Sequence, residues 1–336
     1  MAIKKIKVNN FTVFNELEIN ASDGVNVIIG DNGVGKTHLL KLIYSVWLAR
    51  NEILTNANKI FARKEKYRFI YQDNSNKQGN IIRELIYETI WEGFNQTYLM
   101  AKEVIPNSQK YIIMTESTTL FEPVFIPARE ILSMSNITRI DDKYGNDLAI
   151  DRTFIDFIKK AQNIKPDKIP DLAINNISKI EKIINGKVFI NESDLTFWIR
   201  KNNKTEIPFS MEAEGITKFG LLWQLLMNES ITKGSILLWD EPDANINPRY
   251  IYELVEILLD LSRNGVQLFL TTHDYYLSKY FDVLLNKNDL ITFHSLYKTD
   301  VGIKCESSDK MSTLVNNDIV SEIIRLYEAE IEKVTG

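Results

Sequence analysis

The feature that most constrains this chain is a glycine-rich loop whose acidic partner lies far away along the sequence. Residues 30–37 read GDNGVGKT and fit the pattern G-x-x-x-x-G-K-[ST]. The apolar run GVNVIIG precedes the loop, and HLLKLIYSVWLAR, with apolar residues at helical spacing, follows it. Strand, loop and helix in this order are the context that the motif requires. The segment therefore predicts an α/β fold with a phosphate-binding loop.

The residue types of this loop suit a bound nucleotide. Glycines let backbone N–H groups curl around phosphate oxygens, and the following helix directs its positive end at the same charge. Lys36 is expected to contact the β- and γ-phosphates, and the Thr37 hydroxyl is expected to ligate Mg²⁺. The other expected nucleotide contacts in and beside the loop are Gly30, Asp31, Asn32, Gly33, Val34, Gly35 and His38.

About two hundred residues later, two carboxylates follow an apolar run, in ILLWDEPD at residues 236–243. Four apolar residues indicate a buried parallel strand, and α/β sheets bind ligands at the carboxyl ends of such strands. Asp240 is expected to hold Mg²⁺ opposite Thr37. Glu241 is expected to orient and polarise the water that attacks the γ-phosphate.

A second apolar strand, VQLFLTTHD, ends at His273, about thirty residues after Glu241. An imidazole there is expected to hydrogen-bond the γ-phosphate and to report its presence. Lys36, Glu241 and His273 are therefore the predicted catalytic residues. His294 lacks such a context, and no cluster of Cys and His residues has the spacing of a metal site.

The chain resembles ABC-type ATPases of the SMC, RecF and overcoming-lysogenization-defect lineage, particularly their compact prokaryotic members. Five segments in the family's order carry the resemblance: IKKIKVNNFTVFNELEI, VFIPAREIL, EGITKFGLLWQLL, LLWDEPDANINP and LTTHDYYL. It covers nearly the whole chain. The resemblance implies an ABC-type P-loop fold with a mixed N-terminal sheet, a helical lid and a parallel core sheet. It also implies ATP and Mg²⁺ as cofactors, and Mg²⁺-dependent ATP hydrolysis.

The resemblance further implies that a second copy contributes to the site. EPDANINP after Glu241 resembles the D-loop, which crosses the dimer interface in the family, with Asp243 and Asn245 as candidates. MEAEGITKFGLLWQLL resembles the signature segment. There Gly215 would begin a helix whose amides cap the γ-phosphate bound by the other copy.

This chain departs from the family pattern at two places. The usual Ser-x-Gly would place serine at 213, where the chain has Ala213, so the contact would rely on the Gly215 backbone, Glu214 or Ser210. Relatives also carry a glutamine that contacts Mg²⁺ and the attacking water. Either the pair Arg129 and Glu130 in VFIPARE or Gln72 after KYRFIY could replace it, and both alternatives stay open.

The chain divides into three segments on its sequence pattern. Residues 1–130 form a P-loop lobe with a partly antiparallel sheet and one helical stretch from Ile81 to Glu103. Residues 131–209 form a helical lid and a β-hairpin insertion. Residues 210–336 carry the signature helix, the strands that end at Asp240 and near His273, and a terminal amphipathic helix. The first and third segments are expected to form one ATPase domain.

Composition adds limits on location and partners. No apolar stretch reaches the eighteen or so residues that cross a bilayer, so no membrane contact and a cytoplasmic location are expected. Cys305 is the only cysteine, which excludes an internal disulfide. The net charge of −5 disfavours broad wrapping around nucleic acid. Nucleic acid stays possible through the local basic run KIFARKEKYR, although a solvated turn is the favoured interpretation.

The leading functional hypothesis is an ATPase whose two copies enclose two ATP molecules. A homodimer or higher homo-oligomer would close on ATP binding and open on hydrolysis. The resemblance suggests a separate effector protein, plausibly a nuclease in anti-phage defence, because the residues after His273 offer no acidic cluster for fused nuclease chemistry. The alternatives are a RecF- or SMC-like DNA-repair ATPase, and an ATP-binding scaffold with little turnover, which the absence of serine at 213 favours.

Overall fold

The computed structural model describes residues 3–11, 13–44, 66–70, 82–91, 97–103, 110–116, 123–135, 137–138, 152–163, 166 and 168–335. For residues 9–11 and for those between 66 and 116 it describes the backbone. The strands are β1 (Lys5–Phe11), β2 (Phe14–Asn20), β3 (Val25–Gly30), β4 (Lys66–Ile70), β5 (Ile82–Trp91), β6 (Thr97–Glu103), β7 (Lys110–Glu116), β8 (Pro123–Ile126), β9 (Gly186–Ile190), β10 (Phe197–Lys201), β11 (Glu206–Pro208), β12 (Ile236–Asp240), β13 (Gln267–Thr271), β14 (Ile291–Thr299) and β15 (Gly302–Ser308).

Seven helices of eight residues or more lie in the described part of the chain. They are α1 (36–44), α2 (Arg152–Ala161), α3 (Ile174–Ile184), α4 (Glu214–Met227), α5 (Ile251–Arg263), α6 (Tyr275–Leu284) and α7 (Asp318–Thr335). None of the helices in the described residues is both long and apolar enough to span a bilayer.

A six-stranded sheet in the order β15-β14-β3-β13-β12-β8 forms the centre of the molecule. Its strands run parallel except β15, which pairs antiparallel with β14. Alternate residues of a strand face opposite sides of a sheet. In β3, Val27 packs in the larger apolar cluster with helices α2 to α6, and Ile28 packs in a second cluster with α1, β1 and β2. Both faces of the sheet are therefore covered, as its nearly continuous apolar strands require.

The second six-stranded sheet is antiparallel, in the order β2-β1-β7-β6-β5-β4. It shows that the prediction of a helical stretch from Ile81 to Glu103 was wrong. Strands β5 and β6 cover most of that stretch and pair antiparallel, from Leu85 opposite Glu103 to Trp91 opposite Thr97. The physical reason is the run of β-branched and aromatic residues in IRELIYETIW, which favours strands over helices.

The segment between the two halves of the core contains α2, α3 and a three-stranded antiparallel sheet, β11-β10-β9. The predicted hairpin is therefore extended by a third strand. Helix α3 ends at Ile184, its C-cap residue Asn185 is in the left-handed conformation, and the chain turns directly into β9. Apolar residues of α2, α3 and β9 join the larger core cluster, so this segment packs on the same core as the central sheet.

Candidate nucleotide-binding site

The register of the central sheet brings the predicted functional segments to one edge. In β12 and β13, Asp240 lies opposite Thr271, and Thr271 lies opposite Ile28 of β3. The phosphate loop begins two residues after Ile28. Glu241 and His273 follow the ends of the other two strands. Three segments that are distant in sequence thus meet at the carboxyl edge, where α/β sheets bind ligands.

The phosphate loop is held tightly against the sheet. Gly30 has a φ of 146°, and a Cβ there would lie 2.3 Å from the Leu296 carbonyl oxygen, so a side chain would not fit. The buried Lys36 ammonium donates hydrogen bonds to the carbonyl oxygens of Gly30 at 2.8 Å and Asp31 at 3.1 Å. Burial lowers the pKa of Lys36, and nearby carboxylates, Glu241 first, oppose that effect. The loop thus carries a cation in a partly dehydrated setting, which strengthens attraction to phosphate.

Thr37 and Asp240 lie in direct contact. The Thr37 hydroxyl donates to Asp240 Oδ2 at 2.8 Å, and the Thr271 hydroxyl donates to Asp240 Oδ1 at 2.5 Å. Burial raises the pKa of the Asp240 carboxyl, and these two hydrogen bonds partly oppose the effect. A hydroxyl and a carboxylate side by side are hard oxygen ligands of the kind that Mg²⁺ prefers. The residues present therefore fit a magnesium ion at this edge.

Glu241 stands in an unusual backbone conformation beside His273. Its φ is 48°, the left-handed region that a residue with a Cβ rarely adopts. The Glu241 N–H bonds to the carbonyl oxygen and the hydroxyl of Thr271, both at 3.1 Å, and these contacts hold the turn. Glu241 Oε1 lies 3.2 Å from His273 Nδ1, and the imidazole is about half exposed. Local strain of this type concentrates at functional sites.

Asp243 is held by the strand that ends near His273. The Thr272 hydroxyl donates to Asp243 Oδ1 at 2.7 Å, and the N–H of Asp274 donates to the same hydroxyl at 2.9 Å. Burial raises the pKa of Asp243, and the bond from Thr272 opposes this. The segment after Glu241 is therefore coupled to the segment around His273.

The predicted signature helix α4 packs directly on the loop after Glu241. A Cβ on Gly215 would lie 2.7 Å from the Asn245 carbonyl oxygen, so only glycine permits this approach. The Asn245 amide donates to Glu214 Oε2 at 2.7 Å. Ala213, at the N-cap, makes no side-chain cap to the helix. The first amides of α4 therefore have no capping side chain from the residue that replaces the expected serine.

With this geometry established, comparison with known proteins identifies the family. Residues 25–279, more than half of the chain, match the family described as "AAA domain, putative AbiEii toxin, Type IV TA system". The chain belongs to this AAA domain family. This confirms the predicted lineage, a P-loop ATPase domain of the ABC type related to SMC and RecF proteins.

Individual relatives agree with that lineage. DNA replication and repair protein RecF of Clostridium botulinum (strain Eklund 17B / Type B) is 40% identical over 70 residues, which are 21% of this chain and 19% of the relative. RecF of Bacillus mycoides (strain KBAB4) is 33% identical over 85 residues, 25% of this chain and 23% of the relative. The AAA domain chain thus spans about a fifth of the length of these relatives.

A solved SMC head bound to the C-winged helix domain of ScpA superposes on the AAA domain chain with a TM-score of 0.53 and 14% identity. The superposition covers 93% of this chain and 99% of the SMC head. At this identity the likeness concerns the fold, and it confirms the predicted fold class. The roles of single residues, and the division into three segments, stay predictions.

The AAA domain has a cavity of about 640 Å³ beside Glu241. Arg129 and Glu130, which follow β8, line it together with Glu214 and Asn245. The Glu130 carboxylate accepts bonds from the N–H groups of Leu132 and Ser133, and burial raises its pKa. The exposed Arg129 makes no ion pair with the described residues. Arg129 is thus the member of the pair with a free charge in the cavity, while the competing candidate Gln72 lies outside the described residues.

The sequence interpretation missed three polar residues that hold the AAA site together. Thr271 and Thr272 bond to the two buried aspartates, and buried Lys218 donates to the Glu241 carbonyl oxygen at 2.9 Å. Burial lowers the pKa of Lys218, against acidic neighbours of which Asp243 is the first. The threonine pair before His273 was visible in the sequence as polar residues at a strand end. Lys218 gave no such signal, because it lies within a helix and not at the end of a strand.

The raised pKa of Asp240 predicts that Asp240→Asn stabilises the nucleotide-free protein while it abolishes Mg²⁺-dependent hydrolysis. A carboxyl whose pKa is raised by folding favours the folded state below its ordinary pKa, and this contribution is lost as the pH rises through the raised value. Asparagine can keep the contacts to Thr37 and Thr271 without the buried charge. The gain in melting temperature over wild type should therefore be larger at about pH 7 than at about pH 4. Thermal melts at both pH values test this, and an equal or lower melting temperature of the variant at neutral pH would contradict it.

Proposed function

We propose that this AAA domain protein is a switch driven by ATP, in which two copies pair around bound ATP and hydrolysis separates them. The observation that carries the proposal is the contact of Thr37 with Asp240 at 2.8 Å, one residue before Glu241, which lies 3.2 Å from His273. A metal-binding pair, a carboxylate able to orient water and an imidazole thus lie together at the carboxyl edge of the central sheet.

Each predicted residue has a chemical role in this proposal. Lys36 and the loop amides bind the phosphates, and Thr37 and Asp240 hold Mg²⁺, which when bound neutralises charge on the phosphate oxygens. Glu241 orients a water whose oxygen bonds to the γ-phosphorus as the bond to the bridging oxygen breaks. ADP leaves, and the proton of the water passes to Glu241 and then to solvent. His273 contacts the γ-phosphate, so its present contact with Glu241 would change when nucleotide binds.

Within one chain, the signature helix and the phosphate loop line different cavities, and this separation supports the pairing of two copies. The signature helix N-terminus at Glu214 lines the cavity that contains Arg129 and Glu241, whereas Gly30 and Asp31 line a different cavity. A two-fold related second copy could bring the signature helix of one chain to the phosphate loop of the other. The N-terminal amides of α4 would then meet the γ-phosphate.

A separate effector is the second part of the proposal. The family description includes a putative toxin of a Type IV toxin–antitoxin system, which supports a role in which the ATPase controls a harmful activity. We infer an effector protein in another chain, plausibly a nuclease that acts in anti-phage defence. Co-purification and nuclease assays with the products of adjacent genes test this part, and adjacent genes for recombination or replication would count against it.

Mass measurement by light scattering tests the pairing. Wild type and Lys36→Ala are measured with and without Mg-ATP, and we expect a doubling of mass with nucleotide for wild type alone. A constant monomer mass for wild type at micromolar concentration, with ATP shown to be bound, would contradict the proposal. A bound nucleotide without phosphate release would favour the scaffold alternative.

A second candidate function is DNA binding, which the similarity to RecF proteins favours. It predicts ATP-dependent binding to DNA ends or gaps that weakens steeply with salt, because phosphate contacts release counterions. The basic run at residues 59–68 is the first candidate contact, and its part before residue 66 lies outside the described residues. Lys64→Glu with Lys66→Glu should then abolish binding in a titration with fluorescent gapped DNA. Unchanged affinity of this double variant would exclude this surface.

A further inference from the structure

The last helix of the described chain stands out because it packs so little. Helix α7 has eighteen residues, and none of them is buried. Ile319 and Val320 pack on the larger core cluster at its beginning. From Ile324 to Thr335 every residue is exposed, so the greater part of the helix projects from the body of the protein.

The base of this helix lies at the phosphate loop. One side of α7 between Asp318 and Ala329, including Ile319 and Ile323, lines a cavity of about 670 Å³ together with Gly30, Asp31 and His273. The projecting part therefore starts beside the predicted γ-phosphate contacts. Any second copy that approaches the phosphate loop would also approach α7.

The exposed apolar residues of α7 follow the spacing of a helix–helix seam. Ile324, Tyr327, Ile331 and Val334 recur at intervals of three, four and three residues, and their side chains are 52%, 61%, 61% and 86% exposed. This is the a-d-a-d pattern with which two helices pack side by side. A single helix of about a dozen projecting residues is marginal in water and is stabilised by packing of its apolar face.

We propose that the α7 helices of two copies pair in parallel through this stripe when ATP closes the dimer. The inference rests on the proposed ATP-dependent pairing and names a surface that would contribute to it. A two-fold axis parallel to the two helices places each stripe residue opposite the same residue of the second copy. Pairing at this place would link closure at the phosphate loops to contact between the two α7 helices.

The charges beside the stripe favour a second copy in the parallel direction. In a parallel pair, Ile323 lies beside Glu328 of the second copy, and Glu330 lies beside Thr335, so no two acids meet across the seam. An antiparallel pair would bring Glu328 and Glu330 near the same residues of the other helix. Like charges at this distance repel. The helix carries five acidic and two basic residues, so added salt should strengthen the pairing.

Cysteine crosslinking tests the proposal in full-length protein. Ile331→Cys, in the stripe, is compared with Glu332→Cys, an exposed position outside the stripe on the same helix, both in a Glu241→Gln background with and without Mg-ATP. The native thiol of Cys305 is a poor competitor, because burial raises its pKa to about 11. We expect disulfide-linked dimers of Ile331→Cys to form roughly tenfold faster than those of Glu332→Cys, and only with ATP.

A charge variant gives an independent measurement. Ile331→Lys should raise the protein concentration needed for half-maximal pairing by roughly tenfold, while Glu332→Gln, which adds the same charge outside the stripe, should not. Both melting temperatures should match wild type, because residues 331 and 332 are exposed in the single copy.

The outcomes separate this inference from the proposed function. An ATP-dependent doubling of mass with equal crosslinking at 331 and 332 would overturn the α7 pair and leave the switch intact. Crosslinking of Tyr327→Cys only when it is mixed with Ile331→Cys would show an antiparallel pair, which also overturns the proposal. No mass change with bound ATP would contradict the proposed function and the inference together.

Discussion

Replacing Glu241 with glutamine is expected to reduce phosphate release by roughly 10²- to 10⁴-fold while the protein still binds ATP and pairs. The amide keeps the size of the side chain but cannot accept a proton from water. The N–H of residue 241 would still bond to Thr271 at 3.1 Å, and Lys218 would still donate to its carbonyl oxygen. The loop should therefore keep its shape. The ATP-bound pair should accumulate, because without hydrolysis the two copies do not separate.

The measurement is single-turnover phosphate release, with Glu256→Gln as the matched control. Glu256 accepts a hydrogen bond from Lys179 on the neighbouring helix α3 and is not among the predicted site residues. The control should hydrolyse ATP at the rate of wild type. Wild-type turnover by Glu241→Gln would show that another group orients the water, and Arg129 and Glu130 would then be examined first.

Gly215→Ala is expected to weaken pairing while it leaves nucleotide binding to the single chain unchanged. The new Cβ would lie 2.7 Å from the Asn245 carbonyl oxygen, a backbone atom that cannot move aside without a shift of the loop after Glu241. Overpacking of this kind costs on the order of 1–3 kcal/mol. The altered loop and helix N-terminus should weaken ATP-dependent pairing by about tenfold or more, with hydrolysis reduced in parallel.

Fluorescent nucleotide titration and light scattering measure the two effects separately. The variant should bind ATP with wild-type affinity at concentrations where it is monomeric, because Gly215 does not line the loop cavity. Asn245→Ala, which removes the bond to Glu214 without adding volume, is the companion variant and should have a smaller effect. Normal pairing by Gly215→Ala would remove α4 from the proposed contact between copies.

The parts of the site that sequence reasoning predicted are those that follow single strands. An apolar run precedes each of the polar segments GDNGVGKT, WDE and TTHD, so each can be recognised in the sequence as the end of a strand. Parallel strands that are neighbours in a sheet bring such ends together. The register, with Asp240 opposite Thr271 and Thr271 opposite Ile28, agrees with that expectation. The family assignment followed from the order of the motifs rather than from any one of them.

Tertiary contacts explain what the sequence did not predict. The bond from Lys218 to the Glu241 carbonyl oxygen joins two residues that lie 23 positions apart, in a helix and after the end of the next strand. The positive φ of Glu241 and Asn245 depends on contacts with Thr271 and with helix α4, and no glycine marks either position. Strands β5 and β6 were mistaken for a helix because their apolar residues also fit a spacing of three and four.

The central claim is that each active site is shared between two copies, and a mixture of two inactive variants tests it most directly. Glu241→Gln lacks the carboxylate beside its own phosphate loop, and Gly215→Ala lacks the helix contact offered to the partner. A mixed pair would contain one site with both defects and one intact site. If the variants pair at random, mixing them in equal amounts before ATP is added should restore up to about a quarter of wild-type phosphate release. Activity that stays at the sum of the separate variants would show that each chain hydrolyses ATP alone, and would contradict the account.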